Sequence, residues 1–308
     1  HIAGIIHPKF TSEFKSINTE GTKKLLNICN KFNFKKVVLI SSNSPCGCNK
    51  NNKVFDENSS YNPYLNYGLS KMNMEIYANK FHKDTGLDLS IIRAPWFYGP
   101  NQPERQKLFF EMIRNGKFPI VGDGNNLRSM VFVDNLIQGI CLVIKETHSI
   151  GETYWIADEN PYTMNQIVDT IQSIFKNEFG IEASKKQIKL PNITSKIAYT
   201  LDFTIQKIGL YNQKIHVASE LNKNIFCTIE KAKVDLGYSP KINLYEGMKI
   251  SMKDIYKHII IITCMPAYGY CVSIADTVNL NEVSVISPKS ITFSNGSNVK
   301  KIDPFKIK

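Results

Sequence analysis

No cysteine of this chain stands in a Cys-x-x-Cys or Cys/His pattern of the spacing zinc requires, and Cys46-Gly-Cys48 is too tight for a ligand pair, so no metal centre is expected. The seven cysteines are an odd number and no secretory leader is visible, as expected of reduced thiols in a cytoplasmic protein. There is no basic block interleaved with aromatics. The net charge of +11 comes from lysines spread over all 308 residues, which argues for a solvated surface and against a nucleic-acid groove. Long apolar runs are missing too. The 17 uncharged residues from Ile259 to Ala275 are interrupted by Pro266 and Gly269, so no membrane span and no membrane partner are expected. No segment repeats.

With 43% hydrophobic and 21% charged residues, the chain can bury one large core or two smaller ones, as an ordinary enzyme does. Its most informative stretch runs from Tyr61 to Met74, where Tyr67 stands four residues before Lys71. A helix opening near Asn66, after Pro63, puts the phenol and the ammonium on one face a turn apart. A free tyrosine titrates near ~10, so bringing it to neutral pH takes about 4 kcal/mol, which a desolvated lysine can largely supply. Such a pair is a general acid/base for alcohol–ketone chemistry, whereas Tyr-x-x-x-Lys by itself is more often a solvated helix face.

Its neighbours decide between the two. Val-Val-Leu-Ile-Ser-Ser (Val37 to Ser42) reads as a buried strand ending in hydroxyls, and Arg93-Ala-Pro-Trp-Phe-Tyr-Gly-Pro100 closes the next strand. This ordered set resembles the extended short-chain dehydrogenase/reductase superfamily, in its NAD-dependent epimerase/dehydratase group, over about residues 1 to 258. The resemblance implies an α/β fold: a Rossmann-like, doubly wound parallel sheet with a smaller α/β substrate lobe, mainly residues 100–130 and 185–258. Residues 259–308 resemble nothing and form an unassigned tail with short β-like runs at Val283 to Ile286 and Ile291 to Phe293. His1-Ile-Ala-Gly-Ile-Ile-His7 resembles the end of the family's fourth strand, beneath the cofactor. The sheet is then N-terminally truncated, with the Gly-x-x-Gly-x-x-Gly turn expected ahead of His1, and these residues alone are expected to bind NAD or NADP weakly. Gly122-Asp-Gly124 fits a loop better than a phosphate cradle.

Residue by residue, the resemblance makes Tyr67 the proton carrier, Lys71 the group that lowers its pKa, and Ser42 the hydroxyl that polarises the substrate oxygen. Ser44 is the fallback, because Pro45-Cys46-Gly47 replaces the usual Val-Tyr-Gly. Tyr67, Lys71, Pro95 and His1 would contact the cofactor, and Ser42, Trp96 and Arg128 the substrate. Asn18 either lies near the catalytic group or simply starts a helix. Arg128, in a Gly-Asp-Gly segment, suits a substrate diphosphate or makes a loop salt bridge, while Ser129 and Asn135 stand where the family has aspartates. Elsewhere the text predicts a crossover helix over 13–31, a capping box at Thr163-Met-Asn-Gln166 and an amphipathic helix from Leu244 to about His258. The implied function is NAD(P)-dependent epimerase, dehydratase or oxidoreductase chemistry on a nucleotide sugar, by a homodimer. The alternatives are a hydroxysteroid- or flavonol-type dehydrogenase, favoured by Trp96 and the apolar residues of 197–210, and a non-catalytic nucleotide-binding member.

Overall fold

The computed structural model describes residues 1–50 and 53–256, and beyond them the strands Ile259–Ile262, Val272–Ala275, Val283–Ser287, Ser290–Phe293 and Asn298–Lys300. The chain divides into two compact units, His1–Ser251 and Met252–Lys308.

In the first unit the uninterrupted apolar runs become a parallel sheet. Strand β1 (Val37–Ser42) pairs in parallel with β2 (Leu89–Ala94), from Val37 opposite Leu89 to Ser42 opposite Ala94. Strand β2 also pairs with a third strand, Thr153–Trp155. Every residue of β2 is buried, as a central parallel strand requires. His1 extends the ladder on the free edge of β1, donating from its main-chain nitrogen to Val38 O (2.7 Å) and accepting from Ile40 N (3.0 Å), although residues 1–7 form no strand of their own.

Alternation along the strands sorts side chains onto two faces. Val37, Leu39, Leu89 and Ile91 pack with Leu26 of α1 (Gly21–Lys31) and with Ala78 and Phe81 of α2 (Leu65–Thr85). Ile92 and Ala94 look the other way, into a core with Leu136, Val143, Tyr154, Trp155 and Leu236. The sheet is therefore covered on both sides, which is the doubly wound arrangement. The crossover helix expected over 13–31 is wound in two styles: Phe14–Glu20 is π-helical, with Gly21 N–H reaching back to Ser16 O, and α1 follows.

Between α2 and the helical hairpin described below, the chain adds two short parallel pairs. In the first, β3 (Trp96–Tyr98) lies beside Met130–Phe132. In the second, Pro119–Val121 lies beside Ile188–Leu190. An antiparallel contact joins Leu127–Arg128 to Tyr162–Thr163. The capping box is present as the sequence predicts: Thr163 Oγ1 accepts from Gln166 N at 3.0 Å and Gln166 Oε1 accepts from Thr163 N at 2.7 Å. Asn135 replaces a family aspartate because this site needs an amide. Its Nδ2 donates to Asp158 and to Ile242 O while Oδ1 accepts from the backbone of Lys241 and Ile242.

In the second unit the β-like runs of the tail are strands. Val283–Ser287 pairs antiparallel with Ser290–Phe293, which pairs with Asn298–Lys300, and Ile259–Ile262 pairs with Val272–Ala275. Among the described residues no helix is long and apolar enough to cross a membrane.

Candidate active site

The site lies at the carboxyl end of β1, where open α/β sheets place their ligands. Helix α2 opens at Leu65 with a positive φ of 51°, a strained start for a branched residue. Gly68 then lets the helix close on the loop after β1: a Cβ there would stand 2.5 Å from Ser44 O and 3.1 Å from Pro63 C. Tyr64 N–H donates to the same Ser44 carbonyl at 3.1 Å, and Asn62 N–H to Pro45 O at 2.9 Å. The loop that departs from the family pattern is thus braced along its length by the residues leading into α2.

This contact brings the Ser42 hydroxyl near enough to Tyr67 to favour its phenolate. Ser44 sits alongside, with the two serine hydroxyl oxygens 3.3 Å apart. Burial is the larger influence and pushes the Tyr67 phenol up to about 12. The depression expected from Lys71 is not seen in this arrangement, because Lys71 is turned to the sheet. Its Nζ donates to Ile40 O at 3.0 Å and lies 3.9 Å from Met74 Sδ. Burial lowers the Lys71 ammonium to about 8, and Glu75 offsets part of the effect.

His1 and Asn18 complete the sheet side. His1 Nε2 is 3.1 Å from the Thr22 hydroxyl, which itself donates to Asn18 O, so the imidazole is the donor. Asn18 clamps the main chain of Ile5, accepting from its N–H at 2.8 Å and donating to its carbonyl at 3.0 Å. Asn18 stands inside the helical turn Phe14–Glu20 rather than at its start, and its Nδ2 also donates to Ser70 Oγ of α2 at 3.1 Å; Gly4 passes close enough that a Cβ there would lie 3.1 Å from Asn18 Oδ1 and 3.5 Å from Lys71 Nζ.

The substrate-side candidates lie farther along the chain. Pro95 follows β2 directly, and the Trp96 ring meets Phe109 edge-on with centroids 5.5 Å apart. Arg128 donates from Nη2 to the Glu220 carbonyl, and its buried Nε has no partner. The charge of Glu220 pushes the Tyr67 phenol further up.

Two groups escaped the sequence argument. Glu75, fully buried on α2, accepts from Arg93 Nη2 at 2.8 Å, from Tyr61 OH at 2.9 Å and from Ser41 Oγ. The only available signal was its place one turn beyond Lys71. The second is a buried pair across a helical hairpin, His216 Nδ1 to Asp202 Oδ2 at 2.7 Å. Burial works against the charged ring of His216, yet Asp202 and Glu220 hold its pKa above the ordinary value.

Residues 3–157 match the model of the NAD dependent epimerase/dehydratase family. The chain belongs to that family. It is 47% identical over 254 residues to the uncharacterized protein y4nL of Sinorhizobium fredii, covering 82% of this chain and 71% of that protein. It is 30% identical over 164 residues to an Escherichia coli N-acetyl-alpha-D-glucosaminyl-diphospho-ditrans,octacis-undecaprenol 4-epimerase, covering 53% of this chain and about half, 49%, of that protein. The fold is also that of Bacillus cereus UDP-glucuronic acid 4-epimerase in complex with NAD, with a TM-score of 0.62 and 22% identity over 80% of this chain and 70% of that one.

The residues present fit the nicotinamide–ribose end of the cofactor this family uses. An ammonium offers three donors, and Ile40 O is the one oxygen among the described residues that Lys71 is bonded to, which leaves N–H groups for ribose hydroxyls. Burying this charge has a cost in folding. The folded pKa of Lys71 lies below the unfolded one, so the charge opposes folding below about 8, and stability recovers as pH rises from about 8 toward 10.5, where the unfolded chain still holds the proton. Lys71→Met is therefore expected to stabilise the protein at pH 7 by about 1 to 3 kcal/mol and to abolish that rise, as read by urea unfolding across pH. A destabilised variant would contradict the assignment of Lys71 as a buried cation.

Proposed function

We propose that the protein carries out NAD(P)-dependent epimerase, dehydratase or oxidoreductase chemistry at a secondary alcohol or ketone carbon of a diphosphate-linked sugar. The observation that carries this reading is the placement of Ser42 at the end of β1 with Tyr67 and, one turn along the same helix, Lys71, whose Nζ reaches Ile40 O of the same strand. Ser42 donates to the substrate oxygen. Tyr67, a phenol at neutral pH, gives its proton to a carbonyl oxygen, and as the phenolate so formed takes one from a hydroxyl in the reverse direction. Lys71, held on Ile40 O, orients the ribose with its remaining N–H groups. The nicotinamide, when bound, accepts and returns the hydride.

Arg128 favours a charged substrate over a sterol, because its unpartnered buried Nε is a donor waiting for an anion. The apolar residues of 197–210 do not support the sterol reading: Ile197, Leu201, Phe203, Ile208 and Leu210 all face outward. The Escherichia coli relative is by name a 4-epimerase of a diphospho-linked N-acetylglucosaminyl compound, which agrees with this choice.

In a form of the protein that carries the family's glycine-rich turn together with these residues, Tyr67→Phe is expected to lower turnover by at least about a hundredfold while changing stability by about 1 kcal/mol or less. A loss smaller than about tenfold would remove Tyr67 from the mechanism.

Arg128→Ala is expected to weaken binding of a nucleoside-diphosphate sugar by about 2 to 4 kcal/mol without affecting nicotinamide binding. If an uncharged hydroxysteroid proves the preferred substrate and the variant behaves like its parent, the sterol reading replaces this one.

A further inference from the structure

Helix α6 (Ile193–Lys207) is inverted relative to a helix that only closes a water-soluble fold. Its buried positions are Ser195, Ala198, Asp202 and Gln206. That face is satisfied by hydrogen bonds inward: Ser195 to Ala218 O, Gln206 to Asp202, Asp202 to His216, and Gln206 Oε1 from both nitrogens of Asn66, the residue before Tyr67. The opposite face carries Ile193, Ile197, Leu201 and, just past the helix end, Ile208, which are 55%, 56%, 51% and 70% exposed. By helical spacing these four form one stripe. The polar inner face is explained by the site it adjoins; the apolar outer face is explained by nothing within the described residues.

The charges around the stripe point to its occupant. From residue 183 to residue 219 the chain has six lysines, Lys185, Lys186, Lys189, Lys196, Lys207 and Lys214, and one acidic residue, Asp202. All six lysines are exposed and Asp202 is buried. None of the six makes an ion pair among the described residues. Lys196 and Lys207 run along one edge of the stripe, and Lys207 lies over the Phe203 ring at 4.5 Å, a stem laid along apolar surface with its charge at the rim. A two-fold contact with a second copy would bring this lysine field against itself. A surface that is apolar beneath and anionic at its boundary matches both features at once.

We infer that α6 is an interfacial helix that docks the protein on an anionic lipid surface, its Ile193–Ile197–Leu201–Ile208 stripe entering the headgroup boundary and its lysines meeting the lipid phosphates. The sequence alone argued against a membrane partner because it offers no spanning segment; a helix lying on the surface shows itself only when burial reveals which side is turned out. The inference is independent of which sugar is the substrate.

The test is co-sedimentation of the purified protein with phosphatidylglycerol-rich vesicles and with pure phosphatidylcholine vesicles, at low and high salt. The parent is expected to pellet with the anionic vesicles, to be released by salt, and to ignore the neutral ones. Ile197→Asp/Leu201→Asp should weaken vesicle binding by at least about tenfold, and Lys196→Glu/Lys207→Glu by a similar factor. The lysine pair alters only exposed charge, so it keeps the test decisive if the aspartates cost the fold. A parent that stays in the supernatant with both vesicle types would overturn the inference. So would double variants that bind as the parent does, or a parent dimer, seen by light scattering, that the aspartates split into monomers.

Discussion

A single buried carboxylate sets how α2, the helix of the candidate site, meets the sheet. Ser41 and Arg93 are paired across β1 and β2, and Glu75 of α2 accepts hydrogen bonds from both. Glu75 is fully buried and Arg93 3% exposed, so neither charge has water to fall back on. Desolvating two ions costs several kcal/mol each, and the pair holds only because every carboxylate oxygen is bonded and the guanidinium also lies between the rings of Tyr61 and Trp155, 5.5 Å from each centroid. Such an arrangement tolerates no slip. A one-residue shift of α2 would turn Glu75 away from Arg93 and would carry Lys71 and Tyr67, one and two turns earlier, off the strand end.

The site concentrates unfavourable terms that this pairing has to outweigh. Leu65 opens α2 in the left-handed region, Lys71 is buried as a cation, and the Tyr67 phenol is desolvated. Each gives the pocket something a substrate or cofactor can use: a tight approach of helix to loop, free ammonium donors, and a proton held at neutral pH. Function here draws on strain that the rest of the fold supplies.

Much of this was legible in the sequence because the signals were local. The β-branched run at Val37 to Ser42 became β1, Thr163 and Gln166 formed their capping box, and the Tyr67/Lys71 spacing placed both residues on α2. What was not legible depends on pairing across the fold. A glutamate and an arginine read as surface, and only the register of β1 with β2 and the pitch of α2 bring them together in the interior. The apolar residues of 197–210, which the sequence offered in favour of a sterol-like substrate, are turned outward on α6, whose polar side meets His216 and Asn66. The expected lowering of the Tyr67 pKa fails for a related reason: residue spacing cannot tell that the Lys71 ammonium is turned to Ile40 O of the sheet rather than to the phenol.

The claim that the Glu75–Arg93 pair fixes α2 on the sheet is tested most directly by a double-mutant cycle in urea unfolding, with Glu75→Ala, Arg93→Ala and the double variant. Each single change leaves a buried charge alone and should cost about 3 to 5 kcal/mol, and the double should cost less than their sum, with a coupling of about 2 kcal/mol or more. Additivity to within about 0.5 kcal/mol would contradict it, and would mean that α2 is held in place by its apolar contacts alone.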